Sequence, residues 1–307
     1  MEQSRTDGQA VIKESVMPTE QANVQLPTAE GEVGQQNEAQ PTQQGVVDTE
    51  KTVHHHGNCI YMPNRRAAEY SPFACNLYNG CSHNCAYCYN NHGITSGVLG
   101  GETVHLKKSL VDETTAYEIF CKELNKFRGD IINNGGALHF NFVSDPCLPQ
   151  TIELNWKCIN YALSQGVPCQ VLTKRADWLD HLAVREALEF KELIRIGFSL
   201  TGCDELEPGA SPNEERISAM RILHNAGIAT WASIEPIIDP QKSLAMVKQS
   251  IDCCDHFKIG VLSGKKSYTP DQIRQFVNEV NSLNPRSVYW KDSLLDFIHA
   301  TRNQMME

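Results

Sequence analysis

Asn76-Leu77-Tyr78-Asn79-Gly80-Cys81-Ser82-His83-Asn84-Cys85-Ala86-Tyr87-Cys88-Tyr89 places three cysteines within eight residues, at C-x3-C-x2-C spacing. Thiolates are soft ligands that select zinc, copper(I) or iron–sulfur clusters. Four close cysteines would close either a zinc site or a cluster. Three can hold three irons of a cubane and leave the fourth open to a bound reagent. The alternative is a structural zinc site completed by His83 or His92, in a non-catalytic module that recruits partners. C-x3-C-x2-C is unusual for zinc, which normally draws a ligand pair from farther along the chain. The Gly, Ser, His and Asn around the cysteines do not read as core.

On either side of this loop, short apolar runs alternate with longer amphipathic stretches. The runs at 73–78, 138–144, 168–173, 193–200, 228–235 and 256–261 read as strands. Helical patterns lie near 112–127, 151–165, 176–190, 212–226, 240–252 and 270–283. Ser211-Pro212, Asp239-Pro240 and Thr269-Pro270 each read as an N-cap followed by proline at the first helical position. Gly166 and Gly227 fall where helices should stop. Strand and helix alternate about six times, which implies parallel strands with right-handed crossovers. The expected fold is α/β, a partial (β/α)6 barrel with its working end at the carboxyl ends of the strands. A strand at 287–290 and a last helix to about residue 302 extend it.

The chain has 307 residues, is 41% hydrophobic and carries a formal net charge of −10. Residues 1–52 hold nine acids and three bases, and no aromatic residue. A segment so polar cannot bury enough surface to offset its ordering entropy, so residues 1–56 are expected to be a disordered polar tail ahead of one domain over 57–307. Neither part has the basic surplus of a dedicated nucleic-acid binder, although net charge does not report on local patches. No stretch approaches the ~20 apolar residues of a membrane span, and no secretory leader is visible. A cytoplasmic protein with reduced thiols is expected, and the twelve cysteines are then not a disulfide scaffold. His54, His55 and His56 read as a solvated junction. Arg65 and Arg66, just before the barrel, could touch a phosphate, but a basic pair at a domain edge is too common to carry weight.

The cysteine spacing, with an aromatic residue just before Cys88, resembles the radical S-adenosylmethionine (SAM) superfamily. The wider phrase from Asn76 to Tyr89 is similar to the branch that contains spore photoproduct lyase and its uncharacterised relatives. The resemblance runs from about residue 57 to 262 and weakens thereafter. It implies a [4Fe–4S] cluster on Cys81, Cys85 and Cys88. It also implies SAM, bound at the open iron and cleaved reductively to a 5′-deoxyadenosyl radical that abstracts hydrogen from a substrate. An electron donor such as flavodoxin or ferredoxin is implied, with nucleic acid as a substrate class and no membrane.

The same resemblance distributes SAM contacts over the strand ends. Tyr87 is expected near the adenine, Ser144 of the Ser144-Asp145 pair near the amino group, and Lys174 at the carboxylate. Ser199 makes a further contact, and Glu235 binds either the ribose hydroxyls or the substrate. The readings without a ligand are barrel-mouth packing for Tyr87, a turn or helix cap for Ser144 and Asp145, and a surface lysine for Lys174. One departure stands out. Spore photoproduct lyases carry a cysteine two residues before the Ser-Asp pair, where this chain has Phe142. Cys147 lies near that position in sequence.

Overall fold

The computed structural model describes residues 56–92 and 96–305. The tail expected over 1–56 lies, apart from His56, outside the described residues, as do His54 and His55. Ten strands follow in chain order: β1 (Ile60–Tyr61), β2 (Phe73–Cys75), β3 (Tyr78–Asn79), β4 (His105–Leu106), β5 (Leu138–Phe140), β6 (Cys169–Thr173), β7 (Ile194–Ser199), β8 (Ala229–Ile237), β9 (His256–Val261) and β10 (Val288–Trp290). The helices among them are α1 (Arg65–Ala68), α2 (Ser96–Leu99), α3 (Glu113–Asn133), α4 (Ile152–Ser164), α5 (Leu182–Ala187), α6 (Asn213–Asn225), α7 (Pro240–Ser250), α8 (Pro270–Ser282) and α9 (Asp292–Ile298).

One sheet runs β1-β2-β5-β6-β7-β8-β9-β10. It is parallel from β2 to β10, with β1 added antiparallel to β2. Each parallel strand from β2 onward is followed by a helix, from α3 to α9. This is the expected β/α alternation, with β10 and α9 as the additional unit. Strands buried on both faces read as near-continuous apolar runs. In β7, only Arg195 is exposed. The helix-facing layer is aromatic: Phe140 meets Phe120 of α3, Trp156 of α4 meets Trp178, and Trp178 stacks on Phe198.

The sheet has two free ends, and side chains bridge them. Lys258 of β9 donates from Nζ to the carbonyls of Glu69 (2.8 Å) and Tyr70 (2.9 Å), just ahead of β2. Glu69 also accepts from the backbone N–H of Asp292 at 2.8 Å and lies 3.6 Å from both Lys291 and Arg302. A partial barrel thus closes through buried cations rather than through a ladder. Buried charges persist only when paired in this way.

Helix signals are read correctly where the cap is local. Asp239 accepts from the N–H groups of Gln241 and Lys242, and Thr269 with Gln272 forms a capping box. Gly166 (φ 72°) and Gly227 (φ 81°) end α4 and α6 in the left-handed region. At Ser211-Pro212 the register differs by one. The helix starts at Asn213 with Pro212 at the N-cap, because the Ser211 hydroxyl accepts from the Ala176 N–H at 3.0 Å.

Three other elements depart from the expected bounds. The first strand splits after Cys75, and Tyr78–Asn79 pairs instead with His105–Leu106. The second strand ends at Phe140, because Asn76 Oδ1 accepts the Phe142 N–H at 2.8 Å in place of a strand neighbour. The helix expected over 176–190 shrinks to Leu182–Ala187. Asp177 and Trp178 turn back onto Arg175, its guanidinium and its carbonyl respectively, and hold a turn there. Among the described residues no helix is long and apolar enough to cross a membrane.

His139 of β5 is fully buried on the barrel interior, and Gln170 donates to its Nδ1 at 3.1 Å. Burial, with Lys258 nearby, depresses its pKa from 6.5 to about 3. Below pH 6.5 the unfolded chain therefore binds a proton that the folded chain refuses, and stability falls toward pH 3 by up to about 1.4 kcal/mol per pH unit from this residue. Urea unfolding at pH 7 and pH 5 should show a smaller acid loss for His139→Gln than for the unsubstituted protein. Equal losses would remove His139 as the cause.

Candidate active site

A cavity of about 470 Å3 opens at the carboxyl ends of the strands. Cys81, Cys85, Cys88 and Tyr87 reach it from the loop after β3, Ser144 and Asp145 from beyond β5, Lys174 from β6, Ser199 from β7 and Glu235 from β8. Residues from five segments thus share one wall. The three cysteines also border a second, smaller void together.

The cysteine loop is held by Asp145. This buried carboxylate accepts from His83 Nε2 (2.9 Å), the N–H groups of Cys147 (2.9 Å) and Lys174 (2.8 Å), and the Thr173 hydroxyl (2.7 Å). Burial alone would raise its pKa. The bonds from His83, Lys174 and Cys147 outweigh burial and hold it below the usual carboxylate range. The other ring nitrogen of His83 meets the Gly209 carbonyl at 2.9 Å. Gly209 is required there, because a β-carbon would sit 2.2 Å from the Ser82 carbonyl.

Tertiary structure therefore separates the Ser144-Asp145 pair. Asp145 has its acceptor capacity filled by protein donors, whereas the buried Ser144 hydroxyl has no partner, and neither does Asn141 Oδ1 close by. Orphaned buried polar atoms on a cavity wall fit a ligand with polar groups of its own.

Glu207 is the second organising carboxylate, and sequence reasoning missed it. Its Oε2 accepts from the fully buried Arg216 at 2.5 Å, and its Oε1 accepts from the Tyr87 hydroxyl and lies 3.9 Å from Lys174 Nζ. Arg216 also donates to the carbonyls of Ser199 (2.8 Å) and Ser211 (2.7 Å). Burial would raise the Glu207 pKa, but Lys174 and Arg216 hold it down. Lys174 and Arg216 thus flank Glu207, and the ionised Asp145 supplies the second negative charge at this wall. Lys174, 5.4 Å from the Tyr87 ring centroid, faces the cavity with it. Lys174 is not a surface lysine.

Glu235 is tied on Oε2 to the Tyr70 hydroxyl and to Lys291 Nζ, both at 2.6 Å. Tyr70 also bonds Ser233 at 2.9 Å. Tyr70 and Lys291, like Glu207 and Arg216, lie in unremarkable sequence contexts, and no local pattern marks them.

Burial pushes the Cys81 thiol up to about 12, with Asp145 adding to it, and burial raises Cys85 too. Such thiols ionise when a metal takes the proton's place. Zinc needs its donors about 2.0–2.3 Å from one point. Among the described residues no three His, Cys, Asp or Glu side chains converge in that way, and both nitrogens of His83 are engaged. A cubane makes no such demand, since each cysteine binds its own iron. Cys147 is buried beside Thr173 and Trp156 and does not line the cavity. Among the described residues, only Cys81, Cys85 and Cys88 bring thiols to it.

The architecture has known counterparts. A point mutant of spore photoproduct lyase superposes with a TM-score of 0.57 at 14% identity, over 75% of this chain and 80% of that one. The fold is shared with spore photoproduct lyase. A second structure of that enzyme, a double mutant with bound AdoMet and dinucleoside spore photoproduct, matches with a TM-score of 0.51 at 18% identity, over 71% of this chain and 63% of that one. In sequence, an uncharacterized protein of Methanocaldococcus jannaschii is 27% identical over 181 residues, which is 54% of this chain and 60% of that protein. No family model matches.

Replacing Asp145 by alanine would strand four donors and leave His83 without its carboxylate. Each buried donor left without its acceptor costs about 1–3 kcal/mol. Asp145→Ala should lose at least about 3 kcal/mol in denaturant unfolding, and a loss below about 1 kcal/mol would contradict the assigned role.

Proposed function

We propose that the chain is a radical SAM enzyme, with Cys81, Cys85 and Cys88 as ligands of a [4Fe–4S] cluster and the adjoining cavity as the site of SAM and substrate. The observation that carries this reading is the convergence of three thiols, an unpartnered serine hydroxyl and the Lys174 ammonium on one cavity within a fold shared with spore photoproduct lyase. When bound and reduced, the cluster supplies the electron that splits SAM into methionine and a 5′-deoxyadenosyl radical.

The chain's own residues bind, orient and exclude. The Lys174 ammonium, 3.9 Å from Glu207, takes the methionine carboxylate by a charge-assisted bond. The Ser144 hydroxyl, free of protein partners, meets the amino group. Tyr87 offers its ring to the adenine while Glu207 fixes its hydroxyl. Ser199 stands at the β7 end, its carbonyl fixed by Arg216. Glu235, fixed by Tyr70 and Lys291, takes a ribose hydroxyl or the substrate. Val143, Leu172, Val261 and Leu262 supply apolar wall that limits water around a reactive radical. Phe142 stands where spore photoproduct lyases carry their hydrogen-returning cysteine, and the buried Cys147 does not line the cavity, which speaks against spore photoproduct repair as the reaction. A flavodoxin or ferredoxin fits as the electron source, and nucleic acid as a substrate class.

Anaerobic reconstitution with iron and sulfide, followed by dithionite and SAM, should yield 5′-deoxyadenosine. Cys85→Ala should abolish it, whereas Cys147→Ala should retain the cluster absorbance. Zinc without iron and sulfide in the purified protein would defeat the proposal. Lys174→Met should weaken equilibrium SAM binding by about tenfold or more, about 1.4 kcal/mol. Unchanged affinity would remove Lys174 from the cofactor site.

A further inference from the structure

The charges within the cavity are paired and those at its mouth are not. Lys174 faces Glu207, and Lys291 faces Glu235 and Glu69. Arg66 is exposed at the mouth and lines the cavity. It donates from Nη1 to the Ser263 hydroxyl at 3.1 Å, and no carboxylate lies within 4.0 Å of it among the described residues. Lys266 stands on the same loop as Ser263. Its ammonium donates to the Gly264 carbonyl and lies 5.1 Å from the Phe297 ring centroid, and partial burial together with the nearby Arg66 lowers its pKa. Arg65 and Lys265 flank the two and are exposed, also without a carboxylate partner among the described residues. Arg65 has φ 50°, a left-handed conformation uncommon for a residue with a β-carbon. A chain with ten excess negative charges thus sets Arg66 at its cavity mouth, bonded to Ser263 on the loop that carries Lys265 and Lys266.

We infer that Arg66 and Lys266, with the Ser263 hydroxyl, dock a phosphate group of the substrate at the rim, so that the part to be attacked hangs into the cavity. The inference rests on the proposed use of that cavity for radical chemistry. A guanidinium fork and an ammonium on adjacent segments suit a phosphate's several oxygens and its charge. Occupation by an anion also relieves the repulsion between the two cations, which the free protein otherwise bears. The dry, mainly apolar cavity wall behind them then receives the uncharged portion of the same molecule.

Two sources of such a phosphate differ in size, a polynucleotide backbone and a free phosphorylated sugar. With the full, cluster-loaded chain and saturating SAM, fluorescence anisotropy would follow a labelled single-stranded oligonucleotide. Calorimetry would follow ribose 5-phosphate, with ribose as the neutral control. The paired substitution Arg66→Gln with Lys266→Gln changes only rim residues, and its melting temperature checks the fold. At least one phosphate probe should bind, weaken by about tenfold or more in the double variant and, for the oligonucleotide, lose about two units of salt slope. Oligonucleotide binding would identify the backbone as the source, and binding of ribose 5-phosphate alone a small phosphoester. The inference is overturned if neither probe binds better than ribose, or if the double variant binds as the unsubstituted chain does. Failure to form 5′-deoxyadenosine would sink the radical reading and leave rim binding measurable, so the two failures can be told apart.

Discussion

A carboxylate buried at a strand end can stay ionised only if donors surround it, and at Asp145 four donors come from three places at once. His83 belongs to the cysteine loop, Thr173 and Lys174 to the end of β6, and Cys147 to the turn after β5. The loop that carries the three thiols is therefore referenced to the sheet through one side chain. Glu207 repeats the arrangement on the opposite flank, collecting Tyr87, Lys174 and Arg216. Because both carboxylates are consumed by protein donors, they set the positions of cavity groups rather than contact a ligand themselves.

The way the barrel closes has consequences for the same cavity. An open parallel sheet leaves two ends whose separation nothing in the ladder controls. Here Lys258, Lys291 and Arg302 converge on Glu69 and the Tyr70 carbonyl, and that convergence brings Tyr70 and Lys291 onto Glu235. The seam and one wall of the site are one network. A polar interior of this kind costs desolvation that an apolar core would not. It gives back fixed hydrogen-bonding groups around a space open to a ligand.

Charge balance then changes along the cavity. Near the thiols, Lys174 and Arg216 are matched by Glu207 and Asp145, and around Glu235 the pairs also cancel. At the mouth, Arg66 and Lys266 stand without carboxylates among the described residues. Such a gradient orders what can enter: a carboxylate-bearing cofactor beside Lys174, uncharged groups along the apolar wall and an anion at the rim.

The amino-acid sequence by itself determined the β/α alternation, the helix starts at Asp239 and Thr269, the stops at Gly166 and Gly227, and the thiol spacing. These depend on periodicity, backbone conformation and contacts within a few residues, which are written in local order. It also placed Tyr87, Ser144, Lys174, Ser199 and Glu235 at strand ends, and parallel topology brings strand ends to one side. It could not show that the first two runs stop at Cys75 and Phe140, because Asn76, 66 residues from Phe142, takes the backbone N–H that would have continued a strand. Nor could it distinguish Ser144 from Asp145, or find Glu207, Arg216, Tyr70 and Lys291. Their roles come from pairings such as Tyr87 with Glu207, 120 residues apart, and Tyr70 with Glu235, 165 residues apart. Only the tertiary structure decided these, since a buried polar group takes whichever partner the packed sheet brings within reach, and residue order does not encode that distance.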